Sequence, residues 1–212
     1  MRNLVDSIFP PADREAVLAA VRAAEADTSV EFVPMVVGAS DSYPKAELAC
    51  ALTIGLLGAV LLCLALGTRD MWLFLLSFGP CALAGFEAAK RLPGLKRLFV
   101  SPERARHETL QAAQAAFYTH GLANTRQRNA LLLYISVFER LVFLLPDAGL
   151  ADKLTPGRLQ TASTALADGI RHGRPAPALA ATLAALACEL APSYPPGADD
   201  ANELKDLIVL KA

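Results

Sequence analysis

Residues 29–37 read SVEFVPMVV. Val30, Phe32, Val33, Val36 and Val37 are β-branched or aromatic, the residues that fit a pleated strand. A strand cannot stand alone, so its partners must lie elsewhere in the chain. Pro34 removes one ladder donor, which predicts an edge position or an irregular pairing for strand 30–37. Upstream, residues 10–28 read as a helix. Pro10 and Pro11 suit its first turn. Val17, Ala20, Val21 and Ala24 recur at helical spacing. Downstream, GASDSYP (38–44) leads into a run of a different kind.

That run, LACALTIGLLGAVLLCLALG at 48–67, holds no charge. A second run, MWLFLLSFGPCALAGF at 71–86, is also uncharged and reaches spanning length when residues 87–89 are added. A membrane-crossing helix needs about 20 apolar residues. GTRD (67–70) suits a tight turn between them. The pattern predicts a transmembrane helical hairpin, with Trp72 as an interface anchor. Two buried helices of a soluble protein are the alternative. The remaining composition agrees: 54% of the chain is hydrophobic and 19% charged, against about 25% charged in ordinary soluble domains. Charges scattered through the first forty residues leave no cleavable signal peptide in view. Lys45, Lys90, Arg91, Lys96, Arg97, Arg104 and Arg106 flank the pair of runs, and Arg69 alone lies between them. This bias puts both termini in the cytoplasm. Cys50, Cys63 and Cys81 fall inside the runs, which leaves no disulfide framework. The net charge of −1 gives no reason to expect nucleic acid.

After the second run, KRLPGLKRLFV (90–100) alternates leucines with basic residues. Lys90, Arg91, Lys96 and Arg97 suit contact with anionic lipid. Ser101 and Pro102 then open a helix to about His120, with Leu110, Ala113 and Phe117 inward and Gly121 ending it. NALLLYISVF and LVFLLP form a hairpin over 130–146 that turns at Glu139-Arg140. Thr155-Pro156 and Pro175 open two more helices, with Leu159, Ala162, Leu166 and Ile170 inward on the first and Leu179, Leu183, Leu186 and Leu190 on the second. Residues 196–212 read as an extended arm. The missing partners of strand 30–37 are therefore in the hairpin, and helix 101–120 supplies the crossover a parallel pairing needs. The chain divides into a helix and strand (1–45), a membrane hairpin (46–90), a basic juxtamembrane segment (91–100), the rest of the α/β domain (101–195) and the arm.

SVEFVPMVV with SDSYP, then AFYTHGLANTRQRNALLLYISVFERLVFLLPDAGL, then GADDANEL, resemble the TPM-domain family, and within it the bacterial members with two spans after the first strand. The resemblance covers about 10–45 and 101–210. It implies a Rossmann-like α/β sandwich, a small mixed sheet flanked by helices. It also implies a role in maintaining or associating with membrane proteins, and the acid phosphatase activity and metal binding attributed to plant members. Thr125, Asn129, Ser136, Glu139, Arg140, Asp147 and Gly149 match the family pattern. Leu159 stands where many members carry Trp. Glu139-Arg140 replaces the Asp-Arg of phosphatase-type members, and their acidic patch is reduced to Asp6.

Two candidate sites follow. Asp41, Ser42, Glu139 and Arg140 mark the carboxyl edge of the parallel strands, the usual ligand end of open α/β sheets. At the far end Arg126, Arg128 and Asn129 meet the returning Asp147 and Asp152. Carboxylates beside guanidinium groups can hold a hard cation, calcium or magnesium, and a phosphate. Asp147-Ala148-Gly149 reads more readily as a turn than as a site, and Asn129 as a loop support. His107, His120 and His172 lack ligand spacing. Ser136 lacks a triad order, and no phosphate loop or dinucleotide fingerprint is present. Glu87 sits at the cytoplasmic end of its span. Gly55 with Gly58, or Gly79 with Gly85, would let the spans approach closely. These readings point to a non-catalytic, membrane-anchored interaction domain whose partners are the bilayer and another membrane protein. The alternative is a metal-dependent phosphatase using Asp147 and Asp152.

Overall fold

A computed structural model describes residues 4–196, 204 and 207–210. The chain divides into two compact units, Met1–Ser40 with His107–Ala212, and Asp41–Arg106. The first is a mixed α/β unit and the second is helical.

The α/β unit contains β1 (Glu31–Val37), β2 (Ala130–Ser136), β3 (Leu141–Pro146) and β4 (Ile208–Leu210), in the spatial order β3-β2-β1-β4. β1 and β2 pair in parallel over seven residues, with Phe32 opposite Leu131 and Val37 opposite Ser136. β2 and β3 form the antiparallel hairpin. Segments nearly a hundred residues apart in sequence thus share one ladder.

Alternation divides the strand side chains between two cores. Phe32, Val36, Leu131, Leu133, Ile135 and Leu144 face one side. They meet α1 (Leu4–Ile8), α2 (Pro11–Ala26), α7 (Pro156–Arg171) and α8 (Pro175–Leu190). Val33, Met35, Val37, Leu132 and Tyr134 face the other, against Ala113 and Phe117 of α6 (Pro102–Thr119) and Leu122. Burial on both faces explains why β1 and β2 read as continuous apolar runs rather than as alternating ones.

Four expectations need correction. β1 lies inside the sheet, not at its edge. Its odd-numbered residues turn their polar groups to β2: Glu31 N donates to Asn129 O at 3.3 Å, and Val37 O accepts from Val137 N at 3.0 Å. Even-numbered positions face the other way, where Phe32 N donates to the Glu25 carboxylate at 3.0 Å. Pro34 falls on that side, and β4 begins only opposite Met35, so among the described residues no ladder bond is lost. Second, the arm expected at 196–212 supplies β4, although most of it lies outside the described residues. Its three strand residues are too few for a periodic signal. Third, the inward stripe of α6 is Thr109, Ala113 and Phe117, with Leu110 only half-buried. Fourth, the short α1 was not anticipated; Val5 and Phe9 bury there, and Asp6 pairs with Arg14.

The helical unit holds α3 (Pro44–Ala65), α4 (Met71–Arg91) and α5 (Pro93–Arg97). α3 and α4 are long and apolar enough to cross a membrane. They run antiparallel and meet through small residues. A Cβ on Gly55 would come within 2.8 Å of Ala82 Cβ, and one on Gly85 within 2.8 Å of Ile54 Cβ. Gly79 faces open space, so only Gly85 of that expected pair serves the contact. Asp70 caps α4 by accepting from Trp72 N at 2.8 Å. Of the large apolar side chains exposed in the described residues, all but Leu92, Leu98 and Tyr118 lie between Leu48 and Leu83.

Candidate functional site

The two ends of the parallel strands carry different polar assemblies. At the carboxyl end the last residues of β1 and β2 and the hairpin turn converge. Ser136 Oγ donates to one oxygen of the Glu139 carboxylate. The other oxygen accepts from Ser40 N at 2.9 Å. Ser40 Oγ donates to Ser136 Oγ at 3.0 Å and lies 3.4 Å from Tyr134 Oη. Glu139, Ser136 and Tyr134 are all buried. A buried carboxylate is tolerable only with such donors around it. Burial pushes the Tyr134 hydroxyl above its ordinary range; the charge of Glu139 adds to the shift and the Ser40 bond opposes it. Arg140 turns the hairpin with φ of 57°, a left-handed conformation costly for a residue with a Cβ.

The position of Ser40 was missed in the sequence, where Asp41 and Ser42 were expected to accompany Glu139. Asp41 falls in the helical unit, and Ser40 bonds Glu139 from the end of β1. Tyr134 was missed because its ring reads as core filling, which it also is.

At the opposite end Arg128 grips Asp147 as a fork, Nε to Oδ2 at 2.9 Å and Nη2 to Oδ1 at 3.0 Å. Oδ1 also accepts from Ala148 N at 2.7 Å, capping a short 3-10 turn over 148–150. The fork raises the Arg128 pKa further above its ordinary value, through the hydrogen bonds and the charge of Asp147. Gly149 packs here with no room for a side chain: a Cβ would lie 2.5 Å from Arg128 O. Tyr194 Oη donates to Gly149 O, and Tyr194 O accepts from Ser29 N at 3.0 Å and Thr28 Oγ1 at 2.7 Å. Asn129 joins the starts of β1 and β2, its Nδ2 donating to Ser29 O and its N–H to Thr125 Oγ1 at 3.2 Å. Asp152 and Arg126 are exposed. Both oxygens of Asp147 are thus already bonded, and among the described residues no group of three or more His, Cys, Asp or Glu could hold a metal ion. The geometry here is that of a clasp holding two strand starts and a turn.

Of the three histidines, His172 caps its own helix, with Nδ1 2.7 Å from Asp168 O. Within the helical unit Trp72 is 74% exposed, as an interface anchor requires. Lys90 and Arg91 lie near Glu87, at 3.9 and 3.5 Å, and Lys90 also sits 4.1 Å above the Phe86 ring. Lys96 binds Glu47 at 2.8 Å and the Ser42 carbonyl, which ties α5 to the start of α3. Its charge is therefore committed within the protein.

No family model and no curated protein matches the sequence. Among solved structures the chain is similar to the NMR structure of the BA42 protein from the psychrophilic bacterium Bizionia argentinensis. The TM-score is 0.58 at 16% identity, covering 94% of this chain and 92% of that chain. At that identity the likeness shows a shared α/β fold.

Proposed function

We propose that this chain is a TPM-domain protein of the two-span bacterial type. Its α/β unit acts as a cytoplasmic module that binds and stabilises other membrane proteins, held at the inner membrane by α3 and α4. One observation carries the reading: the exposed large apolar residues concentrate on two helices inserted between adjacent strands of one sheet. In water such a surface would drive aggregation; in lipid it is the expected outer face. Lys90 and Arg91 add attraction to anionic lipid of about 1 kcal/mol each near the surface.

The competing reading, a metal-dependent phosphatase with Asp147 and Asp152, has less support, since Arg128 and Ala148 already occupy the Asp147 carboxylate. The test uses the full chain in native membranes. Reporters fused at both termini should both be active on the cytoplasmic side. Cross-linkers placed on the exposed residues of α7 should capture integral membrane proteins. Divalent-dependent phosphomonoester turnover that disappears with Asp147→Asn would instead favour the enzyme. Reporters in opposite compartments would end the topology.

A further inference from the structure

At the carboxyl edge of the parallel strands, beside the Glu139 assembly, lies a cavity of about 430 Å³. Its walls are aliphatic: Ile8, Ile135, Val137, Leu141, Val142 and Ile170. Ser136, Arg140 and Arg171 supply its polar groups. Small-molecule sites fall within roughly 300–1,000 Å³ and combine an apolar lining with a few polar groups. This cavity is at the small end of that range, enough for one chain rather than two. Carboxyl strand edges are also where open α/β sheets receive ligands.

The two guanidinium groups set the sign of the ligand. Arg140 makes no ion pair with any described residue, and the adjacent carboxylate, Glu139, is bonded to Ser40 and Ser136. Arg140 also holds a left-handed backbone conformation that glycine would adopt without strain. Arg171 pairs with Asp168 at 2.5 Å, but both side chains are about half-exposed, so solvent screens the pair and an incoming anion can compete for it. A planar guanidinium fork matches a carboxylate or phosphate group. An aliphatic cavity with an uncommitted cation on its wall does not suit a sugar, a nucleotide or a neutral peptide.

We propose that this cavity binds a single-chain anionic lipid, the chain among Ile8, Ile135, Val142 and Ile170 and the acid group on Arg140. The inference does not depend on the topology or partner proposed above, because every lining residue belongs to the α/β unit.

The test uses the full chain in nanodiscs of neutral phospholipid, with a twelve-carbon fatty acid carrying a photoactivated diazirine, and mass spectrometry of the labelled peptides. Labels should appear in 135–142 and 167–171 and should be displaced by unmodified laurate. They should fall about tenfold with Arg140→Gly, as expected for loss of a charge-assisted bond. That variant relieves backbone strain, so lost labelling there does not come from lost folding. Arg140→Lys should retain most labelling, and Ala167→Phe should block it by filling the cavity. The methyl ester of the probe should label these peptides weakly. Labels confined to 44–91 would mean simple partition into the bilayer and would overturn the proposal. So would labelling at 135–142 that survives Arg140→Gly undiminished, or equal labelling by acid and ester. Dodecyl phosphate as competitor distinguishes the head group: displacement by it alone would reassign the ligand from a fatty acid to a phospholipid-like anion.

Discussion

The two units bury opposite kinds of residue. In the α/β unit Leu131, Leu132 and Leu133 are fully buried, and the surface is polar. In the helical unit Leu61 and Leu76 are 63% and 75% exposed, while Ala59 and Ala89 are fully buried. The first pattern is that of a fold in water; the second is the one expected of a helical pair in lipid. The hydrophobic effect sorts large aliphatics inward in the first unit. In the second, the sorting follows the size of the contact, small residues inward so that backbones approach and large ones outward. The comparison argues for a bilayer more strongly than hydropathy alone, because it depends on which residues touch, not on how many are apolar.

The same substitution in both units tests this most severely. Leu133→Ala should destabilise the sheet by about 2–5 kcal/mol, the cost of a core cavity. Leu56→Ala, at an outward position on α3, should cost well under about 1 kcal/mol in lipid. Denaturant unfolding in nanodiscs, followed by hydrogen exchange at 131–135 and 50–60, reads both. Equal costs would erase the contrast. A charge gives the complementary reading. Leu56→Lys sits near the middle of α3 and should lower membrane insertion by about 3 kcal/mol if lipid surrounds it. At an exposed site in water the change would stay within about 0.5 kcal/mol. Carbonate extraction of membranes checks which holds.

Much of the α/β unit was legible because its signals are local. Thr155-Pro156 and Pro175 start helices in the sequence as they do in the structure. Glu139-Arg140 turns the hairpin in both. The parallel pairing of strand 30–37 with strand 130–138 was legible only by elimination, and its register, Phe32 opposite Leu131, was not legible at all. Pro34 misled because its effect depends on which side of β1 its nitrogen faces, and that side is set by the register with β2. β4 was illegible for want of length. The polar ends were legible as composition but not as bonding. Asp147 beside Arg128 looked like a ligand pair, and the fork shows the two charges satisfying each other. Ser40 gave no signal, because its bond to Glu139 comes from a backbone N–H that every residue but proline carries, and its hydroxyl meets Ser136 and Tyr134 only once the strands pair.

The polar end with Ser40 sharpens the comparison at smaller scale. Glu139→Ala would leave the N–H of Ser40 and the hydroxyl of Ser136 without their acceptor. A buried donor left unsatisfied costs about 1–3 kcal/mol. The loss should appear as faster exchange at the carboxyl ends of β1 and β2, with α3 and α4 unchanged. Glu139→Gln keeps an acceptor and should recover part of it. If both variants exchange like the parent, the assembly contributes no stability to this edge.

Tyr134 carries the smallest predicted effect. Burial raises its pKa in the folded chain. A raised folded value means that the native state holds the proton more tightly than the unfolded chain does. The stabilisation is therefore complete below the ordinary tyrosine value of about 10, and it is lost as pH rises through the folded value. Alkaline titration should loosen the sheet before the helical pair, because the phenolate would be buried among Val33, Met35 and Leu132. Tyr134→Phe should flatten that alkaline slope while giving up only the long 3.4 Å contact to Ser40. Exchange rates at 131–135, compared between pH 8 and pH 11 for parent and variant, measure it. An unchanged slope in the variant would place the alkaline sensitivity on another group and remove Tyr134 from the account.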